Sequence, residues 1–562
     1  MRHGALASGV AVALAVAAMP GSVLAQQQAG GAVTVLSVGD IDSLDPGLTH
    51  SPFGSQVSNA VSRQLYAFVP GDAEAPSPDL ALDPPEVTDD GRTITVRLRS
   101  GVKYAPPVNR EVVAADVKYA LERAFSARVP NPYVHAEFHD VVGAPRRPTR
   151  GIPSISGIVA ADEHTLVLHL NHATAASVGA ALSLPVTAPV PPEYAGQFDK
   201  RSPSTYADHV VATGPYVARH KRGRAIYLTR NPNWVPASDV RPAHLNAITV
   251  DERSSDGASA ARRTLNGSRR LAAADVRPGP AQAGSAIDTR PGQVRQTPAG
   301  STRYVALNTR VAPFNNPNVR RAVLAGFDRS ALFRARGGKQ VGALATHFLA
   351  PGTPGYTQVG GAGGAGVDFL DAPAGSRTLA ARYFRRAGFR KGRYTGRRPL
   401  LLVGTTAQPG RQVAERTAAN LERLGFRLRV KLLAPQVAEQ RYCERPKARV
   451  AVCPNAVSLR SVDDPESQLR AVFDGTRIAS AANLNWSLLD DPRINRAMGA
   501  AALLPAGAER LSAWADVDRQ IVRTAPAIPY MWDDATLVQS ADVDGAVNEL
   551  TGGWDLSFTR LR

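Results

Sequence analysis

The chain has 562 residues, 44% apolar and 20% charged, with 66 Lys or Arg against 48 Asp or Glu and a formal net charge of +18. At roughly 150 residues per domain this amounts to three or four domains or two large lobes, and the apolar content excludes wholesale disorder. Beyond the N-terminus no apolar run approaches the roughly 20 residues that span a bilayer, which excludes a polytopic membrane protein. Two cysteines, Cys443 and Cys453, are too few for zinc-finger, iron–sulfur or disulfide-scaffold classes.

Residues 1–25 read as a secretory signal: Arg2 and His3 as a polar head, an apolar stretch from Ala5 to Met19, a break at Pro20-Gly21, and small residues at Val23 and Ala25. The mature chain is then expected to start at Gln26 and to work outside the cytoplasm, in a periplasm or at a cell surface. An uncleaved anchor is the competing reading. No cysteine stands at the cleavage site, so a lipid anchor is not expected.

Val33–Val38 is a β-branched run suited to a buried strand. Thr93–Leu98 alternates after the turn Asp89-Asp90-Gly91, and Val113–Phe125 carries apolar residues at helical spacing. Thr165–Leu170 alternates again, and Tyr216-Val217 with Ala225–Thr229 reads as a hairpin. In the second half Asn318 is expected to cap one helix and Ser376 another, with Gly388 as the stop of the second. Leu400–Val403, a helix from about Arg411 to Leu424, Gly425 and strand Phe426–Leu432 form a strand–helix–strand unit, expected as a right-handed parallel crossover. Segments 254–300 and 359–366, rich in small residues and Arg, read as loops.

In an oxidising compartment Cys443 and Cys453 are expected to bond, two free structural thiols being the alternative. No G-x-S-x-G elbow, P-loop, dinucleotide fingerprint or H-E-x-x-H occurs, so no enzyme class is indicated and no cofactor is implied. His135 and His139 with Asp140 are the nearest approach to a metal site, with chance placement the competing reading, and no metal ligand set is assigned. The basic residues are spread along the chain without interleaved aromatics, which argues against nucleic acid as a partner.

Several spaced motifs resemble the extracytoplasmic solute-binding proteins of ABC importers, of the dipeptide/oligopeptide type (solute-binding protein family 5). They begin with Ser43-Leu44-Asp45-Pro46, Asp90-Gly91-Arg92-Thr93 and the run from Val113 through Asp116 to Arg123. They continue with Thr213-Gly214-Pro215-Tyr216, Arg230-Asn231-Pro232-Asn233-Trp234, Tyr304-Val305-Ala306-Leu307-Asn308, Pro313 to Ala322, Asp328-Arg329 and Ala525-Pro526-Ala527-Ile528-Pro529. Each is weak alone, and their order and spacing over most of the mature chain carry the resemblance.

It implies an α/β, two-lobed periplasmic-binding-protein-like fold (type II), with an extra domain inserted in the first lobe. Lobe 1 would comprise 33–270 plus 526–562, with the extra domain at about 62–190, and lobe 2 would be 271–525. It further implies a monomer that captures a peptide or peptide-like solute in the inter-lobe cleft. The loaded protein would dock on an ABC permease and, through it, on ATPase subunits. A non-peptide solute such as a metal chelate is the alternative within the class, and a secreted hydrolase the alternative outside it.

By the same carry-over, His50, Ser51 and Phe53 are candidate ligand contacts, as are Asn483 and Asn485; each is equally readable as an ordinary turn residue. Counting back from Asp464-Pro465 puts Ser461 where peptide binders of this family carry an amine-binding Asp, and Ser458 where they carry a Trp. With the register shifted, Asp463 or Asp464 would take that role. On this departure, no carboxylate from this strand is expected to meet a ligand's ammonium, whose burial without a partner is costly.

Overall fold

The structure, a computed structural model, describes residues 30–562 apart from 38–40, 72–74, 132, 255, 268–269, 274–279 and 481–482. The expected signal segment lies outside the described residues. One sheet runs through both lobes. In the first lobe its order is Tyr216–Lys221, Ala225–Arg230, Ala247–Asp251, Ala32–Leu36 and Leu271–Ala273. It continues through Ala527–Gln539, Val294–Leu307, Val452–Leu459, Leu400–Thr405 and Leu428–Leu433. Ala32–Leu36 pairs in parallel with both its neighbours, and its alternate residues Val33 and Val35 enter the first-lobe core.

The strands that carry the chain between lobes are long, 14 residues for Val294–Leu307 and 13 for Ala527–Gln539, and antiparallel. At one end Val294 and Val538 pack with Leu36 and Leu271; at the other, Tyr304–Leu307 and Ala527–Ile528 lie in the second-lobe core. Between them the register slips twice, at Pro298/Ser301 and at Arg303/Tyr304. A slip of this kind bends a strand pair. Both slips lie between the parts of the pair that join the two cores.

The extra domain is a four-stranded antiparallel sheet (Glu86–Thr88, Thr93–Arg97, Thr165–His169, Ile158–Ala160) covered by helix Ala114–Ala124. Its core residues Val96 and Leu121 belong to the same cluster as Val33 and Val57, so it is built onto the first lobe. The Asp116 carboxylate accepts from the Val113 backbone N–H (3.0 Å), closing the first turn of that helix. At Gly214 an added Cβ would stand 3.0 Å from the Val61 backbone, which explains a glycine there.

The strand–helix–strand unit forms as expected: Leu400–Thr405 pairs in parallel with Leu428–Leu433 around helix Gly410–Arg423, and Gly425 takes a positive φ of 99°. Two expectations are corrected. Segment 254–300 is not a loop: it holds helices Gly257–Asn266 and Pro280–Thr289, and the long strand starts at Val294. Its small residues hid this, since Ala260, Ala261 and Leu265 suffice to seat the first helix. The helix expected to be capped by Asn318 is capped by Asn316, with Pro317 at its first position. Arg320 of this helix is buried and donates to the carbonyls of Phe314 and Thr524.

Candidate functional site

The seam between the lobes is built on a rigid loop. Asp45 of the first motif accepts from Arg123 at 2.7 and 3.0 Å and from the Gly47 N–H at 2.9 Å. Arg123 also donates to Asp199 at 2.6 and 3.0 Å, and all three side chains are buried. Asn131 donates to the Gly47 carbonyl (2.8 Å) and accepts from the Tyr133 and Val134 N–H groups, so the loop after Asp45 and the segment beginning at Asn131 are tied together.

His50 stands on that loop with its side chain half exposed. Its backbone N–H donates to Asp42 at 2.6 Å, and its carbonyl accepts from the Tyr133 hydroxyl at 3.1 Å. Ser51 caps helix Pro52–Val61, accepting from the Gly54 N–H (2.9 Å) and donating to Asp42 (2.6 Å). Phe53 does not face the seam: it is 4% exposed and belongs to the first-lobe core, because helix Pro52–Val61 turns it inward.

On the second lobe, Ser458 is fully buried, and its hydroxyl donates to the Gln468 carbonyl inside the lobe. Asn483 and Asn485 are also buried, and their amides are used up within their own loop. The Asn483 amide donates to the Asn485 carbonyl (2.7 Å) and that of Asn485 to the Leu489 carbonyl (2.9 Å), while their oxygens accept from Ala479, Ser487 and Leu489. The hydrogen bonds of all three side chains stay within the second lobe.

Ser461 is different. Its hydroxyl donates to the Glu137 carboxylate at 3.0 Å, across the seam from the second lobe to the extra domain. Glu137 ends the short helix Val134–Glu137 and is half-buried. Burial lifts its carboxyl to about 7, with the Ser461 hydrogen bond and Arg477 pulling it down and Glu466 and Asp464 pushing it up. The sequence reading missed Glu137: a short helix after two prolines carries no periodic signal, and its partner lies 324 positions away.

The other acidic groups of this wall are engaged. Asp464 caps helix Pro465–Phe473 and binds Arg510 at 2.7 and 2.9 Å; Glu466 binds Arg510 and Arg470; Asp463 pairs with Arg460 at 3.1 Å. Asp463, lifted to about 6 by burial, also lines a cavity of about 890 Å³ between the second lobe and the extra domain. Tyr66, Phe68, Pro84, Val87 and Leu503 give that cavity apolar walls, in the size range of small-molecule sites.

His135 lies edge-on to Phe125 at 5.1 Å, and His139 turns its ring to the Ala136 carbonyl, so the two do not converge. Among the described residues no group of three His, Cys, Asp or Glu side chains is placed to hold a metal. Cys443 and Cys453 form a disulfide in the second-lobe core. Among the described residues no helix is long and apolar enough to cross a membrane.

Two α/β lobes joined by a bent strand pair, with polar contacts and a cavity in the seam, define the class of two-lobed periplasmic binding proteins. Residues 75–479 match the model of the bacterial extracellular solute-binding proteins, family 5 (middle region), and the chain belongs to that family. It is 29% identical over 283 residues to Di/tripeptide-binding protein 2 of Pseudomonas aeruginosa, covering 49% of this chain and 50% of that one. It is 24% identical over 348 residues to the periplasmic oligopeptide-binding protein of Haemophilus influenzae, covering 59% and 60%. The matches thus span about half the length of these curated relatives. Among solved structures, the clavulanic acid biosynthesis oligopeptide binding protein 2 superimposes with a TM-score of 0.82 at 25% identity, covering 95% of this chain and 96% of that one.

Proposed function

We propose that this chain is the extracytoplasmic solute-binding component of an ABC importer, capturing peptides or peptide-like solutes between its lobes and delivering them to a membrane permease served by ATPase subunits. The observation that carries this reading is the pair of long strands whose register slips between the two lobe cores, with Ser461 and Glu137 meeting across the seam they hinge. Such a hinge lets ligand contacts on both walls drive closure. The relatives named for di/tripeptides and oligopeptides direct the ligand class toward peptides.

Binding needs no reaction, and we read the chain as a binding protein. The fully buried His347–Asp518 pair resembles half of a catalytic triad, yet the second ring nitrogen of His347 faces the Gly361 carbonyl (3.1 Å) rather than a hydroxyl or thiol. We further read the protein as an exported monomer without a lipid anchor.

A thermal-shift screen against peptide, metal-chelate and sugar libraries tests the reading, since a ligand selective for the folded state raises its stability by mass action. Peptides should raise the melting temperature in a concentration-dependent way. A response confined to chelates or sugars would replace the ligand class, and turnover of ester or peptide substrates would replace the function.

A further inference from the structure

We infer that Glu137 is the carboxylate that receives the free α-amino group of a bound peptide, reaching it from the extra domain across the seam. This rests on the peptide reading above and adds the residue that reads the ligand's amino end.

The acidic groups along the seam differ in what already satisfies them. Asp42 accepts from two backbone N–H groups and the Ser51 hydroxyl. Asp463, Asp464 and Glu466 each have an arginine within 3.1 Å. Glu137 has a neutral hydroxyl, that of Ser461, and among the described residues no basic nitrogen lies within the 4 Å of an ion pair. Arg477 acts on it only from a longer range and leans on Asp474 at 3.9 Å. A half-buried carboxylate in that position has lost water without gaining a cation, which is unfavourable until one arrives.

A peptide with uncharged side chains carries one cation, its α-ammonium. Placed against Glu137, the ammonium would restore the missing charge pair. Ser461 suits this arrangement: its hydroxyl donates to Glu137 while its lone pairs remain to accept from the ammonium. Serine on the second lobe and glutamate on the extra domain would then hold one group between them, tying the two walls through the ligand.

The same geometry sets a proton balance. In the empty protein the Glu137 carboxyl is partly protonated near neutral pH. Receiving an ammonium requires the carboxylate, so the acid proton leaves to solvent on binding, and affinity for free-amine peptides falls as pH drops through about 7. The groups that face Glu137 are Asp464, Glu466 and Arg477 from the second lobe, and Tyr133 and His139 from its own segment. Tyr133 is lifted by burial and His139 lowered by burial and Arg477, so both move away from the value of about 7 at which Glu137 titrates.

The test is calorimetric titration of the full mature chain with short uncharged-side-chain peptides and their N-acetylated partners, for the native protein, Glu137→Gln and Glu137→Asp. At pH about 8, acetylation should weaken native binding at least about tenfold, as loss of a charge-assisted contact does. That ratio should fall towards one in Glu137→Gln and survive in part in Glu137→Asp. It should also shrink in the native protein at pH about 5.5, with proton release on binding at neutral pH that the acetylated peptides lack. Equal binding of free and acetylated peptides by the native protein, or a preference undiminished in Glu137→Gln, would overturn the inference while leaving peptide capture standing. Failure of every peptide to bind would overturn the peptide reading and this inference with it. The native protein's acetylation ratio needs no variant, so the test holds even if a substitution disturbs folding.

Discussion

Arg123→Met probes the loop that frames the site. Arg123 is fully buried and makes four charge-assisted hydrogen bonds, two to Asp45 and two to Asp199. Methionine fills a similar volume but leaves two buried carboxylates facing each other without a cation. Four such bonds at about 1.5–3 kcal/mol each would sum to about 6–12 kcal/mol, as much as a whole domain's stability, so simple addition overcounts them. The measured cost of removing one partner from a buried ion network, about 3–5 kcal/mol, is the better guide. Urea unfolding of the native and variant proteins should show a loss of that size, with the midpoint shifted and the slope kept. Because Asp45 also holds the Gly47 N–H, the loop carrying His50 and Ser51 should loosen, and peptide affinity should fall with stability. Converting Asp45 and Asp199 to Asn in the Arg123→Met background should recover part of the loss. A cost below about 1 kcal/mol would refute the argument that this network anchors the loop.

Thiol labelling of denatured, unreduced protein should find no free sulfhydryl, and replacing both Cys443 and Cys453 by Ser should cost about 3 kcal/mol while leaving ligand preference unchanged. Gly214→Ala should destabilise by about 1–3 kcal/mol, because its Cβ meets the Val61 backbone. Gly179→Ala, inside a helix with nothing within 4 Å of the added Cβ, should stabilise by about 0.5–1 kcal/mol; urea midpoints of the two variants check both signs. Burial lifts Glu137 to about 7 and Asp463, Asp534 and Asp555 to about 6. These values exceed those of the unfolded chain, so through these four groups the folded state binds more protons and gains stability as pH is lowered from about 7.5 to about 5, opposed more weakly by His135, His139 and His244, which burial lowers. Asp199 works the other way: against its burial, Arg123 and Ser204 hold it below the usual range, so its contribution is lost only as pH falls below about 4. Unfolding midpoints at pH 7.5, 5 and 3, values chosen to bracket these transitions, should therefore be highest at the middle one.

Much of the scaffold was legible because local signals agreed with it. Val113–Phe125 has the spacing of a buried face, and Ser376 and Gly425 mark a start and a stop that the backbone adopts. The order of short motifs carried the family, since Asp45 and Arg123, from two of them, meet in one buried pair. The site was less legible. Phe53 and Ser458 sit at the expected positions in the chain, but which way a side chain turns is set by packing: Phe53 rotates into the first core and Ser458 onto the Gln468 carbonyl. Asn483 and Asn485 look like ligand readers in sequence, yet they satisfy their own loop. Ser461 was singled out for what it lacks, and its meaning depends on Glu137, which only the fold brings to it across 324 positions. The segment after 254 failed for a simpler reason: alanine seats a helix or strand without the large apolar residues that make a periodic signal.

Hydrogen exchange read by mass spectrometry, with and without a saturating peptide, tests capture between the lobes most directly. The account predicts slowed exchange together in 43–53 and 133–139 of the first lobe and in 458–464 of the second, because one ligand joins walls that lie on the two sides of the bent strand pair. Slowed exchange confined to one lobe, or found only away from these segments, would contradict it.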